Sequence, residues 1–408
     1  MMSQNLNIAE NINTPAEELR KLVAKTNDRK ILAAIAKNPN IPTDLLIELA
    51  GEYLNEIGFN PAFELILIEN PNFIEDIYHQ HFRRYYNFYS EKFLPDWFFK
   101  LGLNHPIHQI RAIVASNKYT LVSYLEKLAE DENEYVRREV AGHENTPIYI
   151  LEQLASDKDE DVKIVVAANK NTPIFVLEQL ATDKDHWVRK TVAEHQQTPI
   201  SVLEKLAADE YSIVRQGVAV NKNTPIFILE QLATDKDYFL RKVIAQRKQT
   251  PIAILEKLAT DRHYYVREAV AKHTKTPIAI LEKLANDNWF CVREAVAKNK
   301  QTPISLLEKL AKDKYCDIRK SVSLHKQTPI FILEKLAEDQ SVKVRKSVAR
   351  NKNTPLNLLK QLATDERWPV REAVAKNKQI PLNLLKTLAK DNDYHVKKAA
   401  EKNLVLSS

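Results

Sequence analysis

The chain has 408 residues, more than one hydrophobic core normally supports, so several domains or a repeat array is expected. Five glycines are too few for the turns of doubly wound sheets, β-sandwiches or phosphate loops, and 28% charged residues argue against a membrane protein. The net charge of +6 is uneven: residues 1–119 hold 12 Lys and Arg against 14 Asp and Glu, residues 120–408 hold 48 against 40, and a salt-bridged solvated surface accounts for that as well as an anionic partner does.

Residues 1–15 have neither a basic nor an apolar leader region, and no apolar run approaches 20 residues, so a soluble cytoplasmic protein without membrane contact is expected. Residues 1–71 carry fragments of a pattern that becomes regular further on. Thr14-Pro15 is followed by Leu19 and Leu22, Ala36-Lys-Asn38 by Pro42 with Leu45, Leu46 and Leu49, and then come Asn60-Pro61 and Asn70-Pro71. They read as degenerate capping repeats, which an array needs at its ends.

Residues 72–105 interrupt the pattern. Eleven of the 32 aromatic residues fall between Phe73 and Phe99, including Tyr78, Phe82, Tyr85, Tyr86, Phe88 and Tyr89. Two readings stand: an exposed interaction stretch, or a longer helix pair packed over the solenoid end. His79, His81, His105 and His108 lie in or beside this stretch, but no cysteine or acidic cluster joins them and no metal site is assigned.

From residue 106 to 403 the register is strict. Thr-Pro recurs every 26 residues from Thr146 to Thr354, with Thr120-Leu121 one period earlier and Ile380-Pro381 one later. Each unit has two segments, shown by Thr172-Pro173 through Ala181 and Asp183 through His195. In the first, Thr is expected as N-cap with Pro at N1, and Ile174, Leu177, Leu180 and Ala181 as the buried face. In the second, Val188, Val192 and Ala193 form a narrower stripe. Such pairs bury their apolar faces only by stacking, which predicts an all-α fold, an α-solenoid of 26-residue two-helix repeats. Residues 404–408 are left as a tail.

An Asp opens each second segment and an Arg, or Lys at Lys163 and Lys397, stands six residues later. An active site is built once, so this pair is read as an Asp N-cap with a ladder of ion pairs between repeats. Asn169, Asn221, Asn299, Asn351 and Asn377, exchanging with His143, His195, His273 and His325, are expected to end the second helix in the left-handed region and to bond the loop backbone.

The recurring unit Asp-x-x-x-x-Val-Arg-x-x-Val-Ala-x-Asn-x-x-Thr-Pro-x-x-Leu-Leu/Glu-x-Leu-Ala resembles the leucine-rich repeat variant family, a relative of HEAT-type α-solenoids. The resemblance covers residues 106–403, and residues 1–71 match more weakly. It implies a right-handed superhelix in which α-helices can alternate with 3₁₀ segments. Ten residues exceed the usual 3₁₀ run, so an α-helix is expected for the Val-Arg segment. One form of the family carries an N-terminal iron–sulfur cluster; this chain has no cysteine before Cys291, so no cofactor is expected. Its two cysteines, Cys291 and Cys316, form no CxxC pair and read as free thiols.

Recognition is expected where the repeat does not dictate the residue. One such column, three and four residues after each Asp, holds Tyr135, Trp187, Tyr238, Phe239, Tyr264, Tyr265, Phe290, Trp368 and Tyr394, types that supply much of the energy of protein interfaces and also stack on unpaired bases. The bland alternative is that these rings only cover helix ends. A second column, Lys170, Lys222, Lys248, Lys300, Lys326, Lys352 and Lys378, has the spacing to follow a phosphate backbone, or serves helix dipoles and solubility. No phosphate loop, His-Glu-x-x-His or Gly-x-Ser-x-Gly is present. The first expectation is therefore a non-enzymatic scaffold that binds protein, the second a nucleic-acid binder, and the third a HEAT-like enzyme of the lyase or DNA glycosylase type.

Overall fold

The computed structural model describes residues 2–83 and 93–407. Among these, all regular structure is helical: α-helices and one π-helical turn, Tyr78–Phe82, with no strand. The chain divides into two compact units, residues 1–206 and 207–408, each an α-solenoid of stacked helix pairs.

In a typical repeat the first helix has seven residues, as in Ile252–Leu258, and the second nine, as in Tyr264–Lys272. The Val-Arg segment is α-helical, as its length predicted. Within each unit the second helices pack side by side, while a first helix sits mainly against the second helices before and after it. The second helix buries Val266, Val270 and Ala271, the first Ile254, Leu255, Leu258 and Ala259. A fully buried aliphatic side chain contributes about 2 kcal/mol, so each repeat is held by its neighbours rather than by itself.

Five details differ from the sequence reading, and each has a physical cause. The residue before each first helix is the Pro, extended at Pro173 (φ −73°, ψ 158°), so the helix begins one residue later than expected. The threonine is not a cap; its buried hydroxyl donates to the carbonyl six residues back, 2.5 Å for Thr146 to Val140 and Thr276 to Val270, which closes the loop from inside. The first apolar residue of that helix, Ile174, is 51% exposed, because Val176 takes the inward position beside Leu177 and Leu180. The Asp that opens the second segment is not the N-cap: its carboxylate turns the loop, Asp183 Oδ1 accepting from the Asp185 N–H at 2.8 Å, and Asp185 caps the helix.

The Asn column ends the second helices in extended rather than left-handed backbone (Asn169 φ −67°, ψ 125°), and no described residue has positive φ. Extended backbone carries the carboxamide across to the previous repeat, where Asn169 Nδ2 donates to the carbonyls of Ala141 and His143 at 2.7 and 3.3 Å. Asn299 does the same to Ala271 and His273. The pattern reaches the N-terminal stretch, where Asn38 bonds Ala9 and Asn11 and Asn60 bonds Ala36 and Asn38.

Between the repeats of each unit runs the ion-pair ladder. Arg137 Nη1 donates to the carbonyls of Asp131 and Glu132, and Nε and Nη2 clamp the carboxylate of Asp157 at 2.6 and 2.9 Å. In the aromatic-rich stretch Phe73, Phe82 and Phe98 are fully buried, Trp97 Nε1 donates to the Leu54 carbonyl, and Phe93 is exposed. Tyr85, Tyr86, Phe88 and Tyr89 lie outside the described residues. His79 faces Glu75, His81 Nε2 meets the Ile47 carbonyl and His105 accepts from the Ile107 N–H, so these histidines have separate neighbours.

Candidate binding surface

The second helices start at an edge where one position decides what is displayed. At the N-cap, Asp159, Asp185, Asp237 and Asp393 accept hydrogen bonds from free backbone N–H groups of the first turn. In other repeats of the second unit the same position holds Tyr211, His263, Trp289 and Tyr315. Tyr211, Trp289 and Tyr315 make no side-chain cap, and His263 caps only through Nδ1 at 3.4 Å. Losing an Asp cap costs about 1 kcal/mol, so these repeats give up local stability for a ring.

Those rings complete a ladder that the sequence column only half contained. Tyr238 stacks on His263 with centroids 3.8 Å apart and planes 12° from parallel. Tyr264 stacks on Trp289 at 4.3 Å and 17°, and lies 4.3 Å from Tyr265. His263 lies 5.2 Å from Tyr264, which joins the two stacks, and Phe290 continues to Tyr315 at 5.2 Å. Trp289 remains 50% exposed, although the ladder runs through it. Lys242 lies over Phe239 and Tyr265, and Lys314 over Tyr315.

Stacking covers the mutually facing sides of Tyr238 and His263 and of Tyr264 and Trp289. The Tyr264 hydroxyl, hydrogen-bonded to Tyr265, is pushed up to about 12 and stays a neutral donor at physiological pH. Burial raises the nearby Cys291 thiol, which disfavours the reactive thiolate. The guanidinium groups beneath are committed: Arg267 Nε holds Asp287 at 2.5 Å and Arg293 Nε holds Asp313 at 2.6 Å.

Other members of the ring column stand apart from this ladder. Tyr135 has the Arg138 guanidinium 4.7 Å above it, and Trp187 has Lys190 at 5.6 Å and His186 at 5.4 Å. Trp368 stacks on His395 at 4.8 Å, and Tyr394 meets His395 edge-on at 5.7 Å. His263, Trp289 and Tyr315 were missed because they sit one residue earlier, in the capping column, where Asn and Asp elsewhere look structural. A ring in a column of capping acids was the signal that could have found them.

The lysine column lies at the opposite end of the second helices, next to Thr-Pro. A nine-residue helix is about 13 Å long, so the two columns do not form one site. Lys170, Lys222, Lys248, Lys300, Lys326, Lys352 and Lys378 are all exposed. Lys170 has Glu144 3.7 Å away, in the same column one repeat earlier. The carboxamides beside the lysines are structural: Asn171, Gln301 and Asn353 donate to the carbonyls of Glu144, Thr274 and Lys326 in the preceding repeats.

No family model and no curated protein matches the chain. Solved structures do. A leucine-rich repeat variant with a novel repetitive structural motif, the family that the repeat sequence resembles, is similar at 24% identity over 55% of this chain and 88% of its own, with a TM-score of 0.45. A chain from the complex in which Kap95p binding induces the switch loops of RanGDP to adopt the GTP-bound conformation is similar at 11% identity, over 100% of this chain and 63% of its own length, with a TM-score of 0.35.

Proposed function

We propose that the chain is a non-enzymatic scaffold that binds protein, with the ring ladder of the second unit as its principal contact. The observation that carries this reading is the exchange of capping acids for rings at Tyr211, His263, Trp289 and Tyr315. A fold under selection for stability alone keeps the acids, since a cap stabilises by about 1 kcal/mol and an exposed indole gains little from water. Stacked Tyr and Trp supply large rigid contact area at low entropic cost, and their hydroxyl and N–H edges give direction. Base stacking needs free ring faces, and here Tyr238 and His263 cover a face of one another, as do Tyr264 and Trp289. The repeated Asp and Arg groups are consumed by one another, so they do not supply an acid–base pair for catalysis.

The test is affinity capture with wild type and with a Tyr238→Ala, Tyr264→Ala, Trp289→Ala variant, followed by identification of the proteins bound. Wild type should retain at least one protein that the variant releases. Equal recovery of every protein by both would remove the ladder as the contact.

A further inference from the structure

The Thr-Pro edge of the second unit carries a charge imbalance that the ladder edge does not. The six-residue segments ending at the seven prolines from Pro225 to Pro381 contain twelve Lys and Arg and no Asp or Glu. In the first unit the corresponding segments between Ser116 and Pro199 contain Lys118 and Lys170 against Glu144 and Glu194. Some of the cations are neutralised or tied down: Lys272 and Lys298 pair with Glu268 and Glu294 at 2.6 Å, and Arg247 donates to the carbonyls of Ala219 and Asn221. The column from Lys222 to Lys378 is exposed, and among the described residues no carboxylate within ion-pair distance of it is found in this unit.

Beside the lysines runs a second exposed row, the first residue of each first helix from Ile226 to Leu382. These aliphatic side chains are 45 to 56% exposed in every repeat. The two rows share concavities: Lys326, Ile330, Lys352 and Leu356 line one hollow between adjacent repeats. A surface that served only solubility has no use for an unbroken aliphatic row next to its lysines.

We infer that this edge, independently of the ring ladder, docks an extended acidic polypeptide whose carboxylates recur at every third residue with apolar side chains between them. Side-by-side helices lie about 9 Å apart, and an extended chain in the polyproline II conformation advances about 3.1 Å per residue with three residues per turn, so three residues of the partner match one repeat and return to the same face. A carboxylate at every third position then meets one lysine per repeat, Lys275 serving where the column holds Thr274, and the apolar residues between them fall on the aliphatic row. Nucleic acid fits less well: its phosphates would meet the lysines but leave the aliphatic row facing sugar and water, and among the described residues of this unit that row's neighbouring column exposes two rings, Phe227 and Phe331.

The test uses the full chain and three fluorescein-labelled probes: a (Glu-Leu-Ser)₇ peptide, a peptide of the same composition with its glutamates and leucines in separate blocks, and a mixed-sequence 20-nucleotide single strand. Fluorescence anisotropy is read for wild type, for Lys300→Glu with Lys326→Glu and Lys352→Glu, for Ile278→Ser with Ile304→Ser and Ile330→Ser, and for Tyr264→Ala with Trp289→Ala. All these positions are exposed or on the ladder, and circular dichroism verifies that each variant is folded. Wild type is expected to prefer the periodic over the block peptide by about tenfold, with about tenfold loss in both edge variants and no change in the ladder variant. Tighter binding of the oligonucleotide, equal binding of the two peptides, an unaffected isoleucine variant, or no binding of the periodic peptide would each overturn the inference. The ladder variant separates this surface from the proposed protein contact, since either can fail while the other stands.

Discussion

The phenol of Tyr264 lies flat on the indole of Trp289, centroids 4.3 Å apart and planes 17° from parallel, although the two side chains belong to successive repeats. Trp289 reaches that place only by occupying an N-cap that it does not satisfy. A Trp289→Asp variant should recover the cap and a Trp289→Ala variant should not, so the first is expected to be more stable by about 1 kcal/mol while both lose the stack. Urea denaturation of the two variants measures the difference. Equal midpoints would mean that the uncapped start of this helix carries no strain on stability.

The ladder of ion pairs predicts how unequal Arg and Lys are in this fold. Arg267 makes four hydrogen bonds, two to Asp287 and two to the carbonyls of Asp261 and Arg262. Lys163 makes one, to Asp183 at 2.7 Å. Arg267→Ala leaves a buried carboxylate unpaired and is expected to destabilise by about 3 kcal/mol. Lys163→Arg is expected to stabilise by about 1 kcal/mol by filling the carbonyl bonds its neighbours make. Thermal and urea melts decide, and a silent Arg267→Ala would show that the ladder contributes nothing to stability.

Acid should weaken the fold in two stages. Burial lowers the pKa of His195 and His325, partly opposed by their bonds to the carbonyls of Asn169 and Asn299. A histidine depressed in the fold binds fewer protons than in the unfolded chain, so its contribution is complete above about 6.5 and falls as pH drops below that value. Asp157, Asp261 and Asp287 come next: burial alone would raise them, but the facing guanidinium and a backbone N–H hold them below the ordinary carboxylate value. Their contribution is present above about 3.9 and lost as pH falls through the lower folded values. Denaturation midpoints at pH 7, 5.5 and 3.5 should therefore fall in sequence. His195→Asn with His325→Asn keeps the inter-repeat bonds and should flatten the first step; an unchanged step would assign it to other groups.

Removing one whole repeat tests the register. Deleting Thr250 through Lys275 joins Gln249 to Thr276 and brings Asp287 to the place of Asp261 before Arg241, and Ala245 and Arg247 to the places of Ala271 and His273 before Asn299. Folding should survive, with helical circular dichroism reduced in proportion to length. Leu258→Ala, at a side chain only 1% exposed, should instead leave a cavity costing about 3 kcal/mol. Collapse of the deletion together with a silent Leu258→Ala would contradict the repeat boundaries.

The sequence alone determined the period, the two helices of each repeat, the stacking of repeats and the place of the variable ring column. A 26-residue pattern with Val188, Val192 and Ala193 on one stripe and Leu177, Leu180 and Ala181 on the other has no alternative burial, because neither helix can hide its face alone. The tertiary structure decided what each polar column does. Thr172 turns inward to the Val166 carbonyl, Asn169 reaches back to Ala141, and Asp183 closes a loop while Asp185 caps, because the partner of each lies a turn or a repeat away and spacing within one segment does not reveal it. The same holds for the candidate surfaces. Stacking of Tyr264 on Trp289 and exposure of Ile330 beside Lys352 depend on how one repeat is laid on the next, and a chain read one repeat at a time does not contain that rotation.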